Sequence, residues 1–289
     1  MLALQLTITG LQTGALYALT AVGFSLIFGS TRIFHFAHGA TFIIAAYLFY
    51  YMNVSGYGLI AGIAAATAGA IAFGLLLNRF VYVPIQRDEG SFFTVFVASF
   101  GIGIVVQNVV GMIFGRGYVT VSTPLSFSVE IMDGLYVAPI AWISMLCAAV
   151  FFGILWCFLK YSQMGKALRA LADNPELVRV FGLNPRFIAA SAFTIGSILV
   201  VPAAIISGAT SGLNPAMGHH VMLISLAATI VGGIGSVPGT LLAGLALGLA
   251  ESLALLYVDS QWTEAVTFAI LFLFIIIRPS GLLGRSAAH

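Results

Sequence analysis

Charge is scarce in this sequence: 7% of its 289 residues are Asp, Glu, Lys or Arg, against 61% hydrophobic residues. A soluble domain carries about 25% charged residues, so the composition excludes a water-soluble globular fold and indicates an integral membrane protein. No charged side chain occurs in residues 1–31, 33–78, 91–115, 134–159, 187–250 or 265–277. A spanning helix needs roughly 20 apolar residues, and the longer gaps hold two or three such lengths. The alternating segments of about ten residues that mark a membrane β-barrel are missing. The expected fold is an all-α polytopic bundle, a single transmembrane domain over 1–289.

Other shortages narrow the function. A net charge of +2 is too small to suggest a nucleic-acid partner. The only two cysteines, Cys147 and Cys157, fall ten residues apart in one predicted helix, about 15 Å along its axis. A disulfide needs Cα atoms within roughly 7 Å, so two buried, unpaired thiols are expected. No basic n-region precedes the first apolar run, so that run is expected to be retained as a span rather than cleaved. There is also no Walker A loop. Gly165-Lys166 is followed by Ala167, and Lys160 stands where G-x-x-x-x-G-K-[ST] requires glycine.

The apolar runs map to segments at about Leu4–Phe28, a short one ending near Met52, Tyr57–Leu77, Phe92–Phe114 and Val137–Leu159. Others follow at 187–207, 219–233, 240–257 and 263–277. Segments two and seven are short enough to be broken or re-entrant, giving eight to ten crossings. No positive charge precedes Arg32, so the N-terminus is expected outside. Alternation then places Arg32, Arg79, Arg87, the stretch 160–186, Arg278 and Arg285 inside, with the C-terminus, as the positive-inside rule requires. Residues 116–136 form an outer loop with Glu130 and Asp133 against one Arg116. Within segment one, Gly10 and Gly14 make a GxxxG, which permits close helix approach in lipid.

Two places interrupt the hydrocarbon: FGSTRIFHFAHGA early and GGIGSVPGT late. Transporters carry interrupted helices near the substrate path, which makes His38, Gly232, Gly233 and Gly235 candidates for it. Residue-by-residue similarity between the two interruptions is poor, so they do not by themselves establish an internal repeat.

Seven of the twenty charged side chains lie in 160–186: Lys160, Lys166, Arg169, Asp173, Glu176, Arg179 and Arg186. Met164–Ala172 is helix-favouring and spaces Lys166, Arg169 and Asp173 by three and four. A second short helix has Asn174 as N-cap, Pro175 at its first position and Glu176 in its first turn. Gly182 ends it, and Arg179 lies within pairing distance of Glu176 along the helix. The apolar side of the two helices together, Leu168, Leu171, Leu177, Val178 and Phe181, requires cover from this protein, from lipid headgroups or from a partner's groove.

GKALRALADNPELVRVFGLN in this stretch is similar to the cytoplasmic coupling segment of branched-chain amino acid ABC transporter permeases of the LivH type. GLQTGALYALTAVGFSLIFG at Gly10–Gly29, FAHGA at Phe36–Ala40, IVGGIGSVPGTLLAGLALGLAES at Ile230–Ser252 and the terminal RPSGLLG resemble further blocks of that family. The resemblance implies an importer in the bacterial inner membrane. This permease, a second permease subunit (LivM-like or a second copy), two ATPase subunits and an external solute-binding protein would make it up. Gly165–Gly182, including Ala170, would dock on an ATPase; ATP-Mg would be bound there, with no cofactor in this chain. Branched-chain or other hydrophobic amino acids are the implied cargo. Related permeases with these blocks carry urea, short amides or small carboxylates.

The remaining polar groups admit more than one role. His35 and His38, or His219 and His220, have no neighbouring Cys, Asp or Glu in sequence to complete a metal site, and a structural role near the helix break fits His38. Glu251 lies among Leu, Ala and Gly, where an ionisable group is a functional candidate. It can hold a substrate ammonium, carry a proton, or hydrate at the outer interface near Asp259. Gln12, Gln107 and Asn108 either join helices or line the conduit. Tyr17 and the 23 phenylalanines serve as lipid-facing or packing residues, and a cluster of them suits an apolar side chain in transit. An ion-driven secondary transporter, with Glu251 or the histidines titrating, is the alternative class; an intramembrane enzyme finds no nucleophile–base pair.

Overall fold

A computed structural model describes residues 1–88, 90–121, 123–132 and 134–284. Asp133 and Arg285, placed above by charge, lie outside the described residues. The chain is almost wholly helical. In order come α1 (Leu2–Thr31), α2 (His38–Val54), α3 (Gly58–Leu77), a π-helical segment (Asn78–Tyr82), α4 (Val83–Arg87) and α5 (Phe92–Phe114). A small antiparallel hairpin follows, β1 (Val129–Met132) and β2 (Leu135–Val137). Then come α6 (Pro139–Tyr161), α7 (Gln163–Asp173), α8 (Pro175–Val180), α9 (Pro185–Thr210), α10 (Met217–Gly232), α11 (Val237–Ala254) and α12 (Thr263–Ile277).

Seven of these stretches are long and apolar enough to cross a membrane: α1, α3 through α4, α5, α6, α9, α11 and α12 with its lead-in turn. The two short segments expected from the sequence are α2, of 17 residues, and α10, of 16. The hairpin in the loop after α5 carries no alternation long enough to read beforehand. That loop is stitched to the α9–α10 connection: Val119 and Leu213 exchange backbone hydrogen bonds at 2.9 and 2.7 Å, and Asn214 donates to the Arg116 carbonyl at 2.8 Å.

Helix α1 is the centre of the bundle, enclosed by α6, α9, α10 and α11, while α5, α6 and α12 are the least enclosed. Lipid tails are as apolar as leucine, so close backbone approach and hydrogen bonding drive helix association there. Along the α1–α11 seam, Gly10, Gly14 and Ala18 meet Ser252, Gly248 and Gly244. A Cβ on Gly14 would lie 2.8 Å from the Leu245 carbonyl oxygen, and one on Gly244 2.7 Å from the Ala18 Cα. The expected GxxxG therefore packs against small residues of equal spacing on its partner. Hydroxyls fasten the same helix: Thr240 donates to Ser25 Oγ (3.1 Å), Ser252 to the Leu6 carbonyl (2.7 Å) and Ser225 to Thr20 Oγ1 (3.1 Å). Such bonds average about 0.6 kcal/mol in membranes.

The first interruption is shorter than its sequence suggests. Helix α1 runs to Thr31, Arg32 takes a left-handed φ of 58°, and His38 already opens α2. Non-helical backbone at this depth needs protein partners. Ser99 of α5 accepts from Ala37 N and donates to the Phe34 carbonyl, both at 3.3 Å. His35 Nδ1 and the Tyr82 hydroxyl lie 2.7 Å apart.

The cysteine expectation needs correction. Both thiols are free, but only Cys147 is half-buried, and Cys157 is exposed on α6. Leu155, two residues before it, faces the bundle interior, and a step of two on a helix turns the side chain about 200° away.

Candidate functional site

The polar stretch folds as its capping residues dictate. Ser162 accepts from Gly165 N at 2.9 Å to start α7. Asn174 accepts from the backbone N–H groups of Glu176 (2.9 Å) and Leu177 (3.0 Å) to start α8, with Pro175 at the first position and Glu176 in the first turn. The chain turns out of α8 at Gly182, where φ is +76°. Glu176 and Arg179 form no ion pair among the described residues; separated by three on an exposed helix, both hydrate.

The apolar residues of this stretch divide between two faces. Leu168, Leu171 and Val178 are 1%, 4% and 2% exposed, packed on Ile188 and Ala192 of α9 and on Phe158 and Leu159 of α6. Gly165 fits closely under α6, where a Cβ would lie 2.6 Å from Leu159 Cα. Leu177 and Phe181, expected on the same side, are instead 52% and 74% exposed, beside Val180 at 80%. The backbone turn at Asn174 rotates α8 relative to α7, so Val178 alone faces inward. Lys166, Arg169, Ala170, Asp173, Asn174, Pro175, Glu176, Arg179 and Gly182 are all exposed. The result is a rigidly held platform with an apolar and basic outer surface.

The second interruption lies at the same end of the bundle. Gly233 (φ +100°) and Gly235 (φ +79°) carry the chain from α10 to α11, and Ser236 caps α11 by accepting from Gly239 N. RPSGLLG folds back over this turn: Leu282 N donates to the Val231 carbonyl at 2.7 Å and Leu283 N to the Gly232 carbonyl at 3.1 Å. A Cβ on Gly233 would meet the Gly284 backbone. Gly232, Gly233 and Gly235 therefore build a structural corner, apart from the other path candidates.

His38 is fully buried, with Nε2 2.9 Å from the Thr20 carbonyl oxygen. That bond makes Nε2 the donor and fixes the α2 entrance to α1. Beside it, Phe24, Phe28, Phe34, Phe36, Phe96 and Phe100 form a contiguous aromatic cluster with centroids 5.0–6.4 Å apart. Gln107 lines a narrow cleft above this cluster with Phe36, Gly39 and His219, and the His219 ring stands edge-on to Phe100 at 5.8 Å. Asn108 points elsewhere: exposed on α5, it donates to the Ile104 carbonyl and accepts from Arg116 at 3.3 Å. Gln12 is half-buried on α1.

Tyr17 and Glu251, distant in sequence, come together near the opposite end of the bundle from the platform. The Tyr17 hydroxyl is 3.3 Å from His220 Nε2, and His220 Nδ1 is 2.8 Å from Glu264 Oε1. Glu251 faces Tyr17, His220 and Glu264. Adjacent His219 and His220 thus point to different neighbourhoods, and no group of three metal-ligating side chains occurs among the described residues. Sequence reading missed Glu264 and the role of His220, because Glu264 reads as an ordinary first-turn acid.

The family model for "Branched-chain amino acid transport system / permease component" matches residues 6–275. The high-affinity branched-chain amino acid permease LivH of Escherichia coli K12 is 30% identical over 98% of this chain and 96% of its own length. BraD of Pseudomonas aeruginosa is 31% identical over the same shares. The ribose import permease RbsC of Haemophilus influenzae is 24% identical over 82% of this chain and 81% of its own. Among solved structures, PsaBC from Streptococcus pneumoniae in complex with Fab superposes with a TM-score of 0.54 over 94% of this chain and 91% of that one, at 14% identity. The last match shows a shared fold. With a family model over most of its length and relatives at 30% identity over nearly all of it, this multi-pass membrane protein belongs to the permease components of branched-chain amino acid transport systems.

Proposed function

We propose that this chain is a membrane-spanning subunit of an ABC importer in the cytoplasmic membrane, carrying branched-chain or other hydrophobic amino acids inward. A second permease subunit completes the conduit, an external solute-binding protein delivers the cargo, and two separate ATPase subunits dock on the 160–186 stretch. The N-terminus faces outward and the platform faces the cytoplasm, as its five basic residues favour.

The observation that carries this reading is the division of the platform into two faces. Leu168, Leu171 and Val178 tie it to α6 and α9, while Leu177, Val180 and Phe181 stand exposed beside Arg179. A handle must be rigidly joined to what it moves and present apolar anchors to what grips it. Helix α9, to which the platform is tied, also borders α1, α2 and α3, so a displacement of the platform reaches the core of the bundle. The chain carries no Walker A loop, in keeping with nucleotide being held by the ATPases. The phenylalanine cluster suits passage of an apolar side chain.

The test is reconstitution in liposomes with both ATPases and the binding protein. Leucine uptake should require ATP, and replacing Val180 and Phe181 by Ala should lower uptake and substrate-stimulated ATP hydrolysis together. Uptake at an undiminished rate without ATPase subunits would overturn the proposal in favour of an ion-driven carrier.

A further inference from the structure

Two helices of this bundle begin inside it rather than at its ends. His38, the first residue of α2, bonds the Thr20 carbonyl, eleven residues before α1 stops, about 16 Å along the axis. The chain reaches that depth from the platform end, after the left-handed turn at Arg32. Helix α10 starts inside from the opposite end, after a connection that Leu213 pins to Val119. The two starts abut: a Cβ on Gly218 would lie 2.8 Å from the Gly39 carbonyl oxygen. Helices interrupted at depth border the substrate sites of transporters.

Helix α5 lies across this junction and leaves a cleft there. One face of α5 carries Phe96, Phe100, Gly103, Gln107 and Gly111, at spacings of three and four. That face looks inward. The Phe100 ring is 5.0 Å from Phe36 and 5.8 Å from His219, and a Cβ on Gly111 would lie 3.9 Å from the Pro215 ring. Between these contacts, a Cβ on Gly103 would meet nothing within 4 Å, and Gly103 lines the cleft opposite Gly39, Ile43 and Gly218. Gln107 and His219 line it too, and neither side chain has a hydrogen-bond partner among the described residues. An apolar hollow with a few unengaged polar groups is the usual make-up of a small-molecule site. In this conformation the cleft has room for about one water molecule. Helix α5, one of the least enclosed in the bundle, is the wall with least packing to break.

We propose that this cleft, opened by withdrawal of α5, seats the branched side chain of the transported amino acid. Gly103 limits the size of side chain admitted, and Gln107 and His219 bond the polar end. This rests on the reading of the chain as an amino-acid permease. None of the lining residues is Asp, Glu, Lys or Arg, so a zwitterion without net charge fits better than a free carboxylate. Urea lacks the apolar part that Phe36 and Ile43 would cover.

The complete importer in liposomes provides the first test, read as the ratio of leucine to valine uptake. The binding protein is the same for every variant, so a changed ratio belongs to the permease. Gly103→Ala and Gly103→Val grow into open space and should leave the melting temperature unchanged. They should lower the ratio stepwise, the second about tenfold, the discrimination one methylene gives in an apolar pocket. Gln107→Leu should lower the uptake of both amino acids and leave the ratio alone. A second measurement uses Gly103→Cys, with Cys147 and Cys157 replaced by Ala, in the purified permease–ATPase complex. A water-soluble thiol reagent should modify the new thiol during ATP hydrolysis, and leucine should slow that reaction in a saturable way. An unchanged ratio in both Gly103 variants, or modification that leucine does not slow, would overturn the site. A wild-type importer that takes up neither amino acid, while leucine still slows the modification, would instead strike at the proposed function and leave the site standing.

Discussion

Gly29 and Gly235 lie against each other: a Cβ on Gly29 would stand 2.7 Å from the Cα of Gly235. One closes the first apolar block and the other belongs to the last Gly-rich block, so the two interruptions in the hydrocarbon meet at one end of the molecule. The platform of α7 and α8 lies at that end too, where α7 borders α1 as well as α6 and α9.

The α1–α11 seam predicts the largest response to a single added side chain. Gly248→Leu places a branched side chain against the Gly14 backbone, with no room to relocate it. Overpacking costs about 1–3 kcal/mol or more, and here the obstacle is main chain. Expression should fall and the melting temperature in detergent should drop, whereas the same change at Gly153, which has open space around it, should leave both unchanged.

Gly233→Ala tests the corner at the α10–α11 turn. A φ of +100° is strained for any residue with a Cβ, and the new methyl would meet the returning 281–284 segment. Loss of about 1–3 kcal/mol is expected from the backbone alone. Proteolysis after Arg278 should accelerate, because the segment that covers the turn is the first to be displaced.

Within the platform, two neighbouring substitutions should separate stability from coupling. Val178→Ala removes buried methyls packed against α9 and should cost about 0.5–2 kcal/mol of stability. Phe181→Ala removes an exposed ring and should leave the melting temperature of the isolated permease unchanged while lowering substrate-stimulated ATP hydrolysis in the complex. Equal thermal effects of the two would contradict the two-faced platform.

Asn174→Ala should act locally. Its carboxamide satisfies two backbone N–H groups of α8, and losing an N-cap costs about 0.5–2 kcal/mol. Amide hydrogen exchange over 175–180 should quicken, with exchange in α9 unaffected beyond its first turn.

Tyr82→Phe tests the support of the α1–α2 break. The hydroxyl is the partner of buried His35 Nδ1, and leaving such a group unsatisfied costs about 1–3 kcal/mol. Destabilisation despite near-perfect retention of shape is the expected outcome of thermal melting.

The sequence by itself determined the membrane class, nine apolar segments close to their final bounds, and the ends of α7 and α8. These are local matters: a charge gap reports hydrocarbon depth, and Asn174, Pro175 and Gly182 act on backbone atoms a few residues away. Tertiary structure alone decided which faces meet. In a soluble protein the apolar side of a helix marks its interior, but lipid rewards apolar surface outside as well, so the pattern carries little record of rotation. Hence Gly232–Gly235 became a corner covered by the chain's own end, and Tyr17 met His220, Glu251 and Glu264 across more than 200 residues of sequence; in the polar stretch the turn at Asn174 set Val178 inward and Phe181 out.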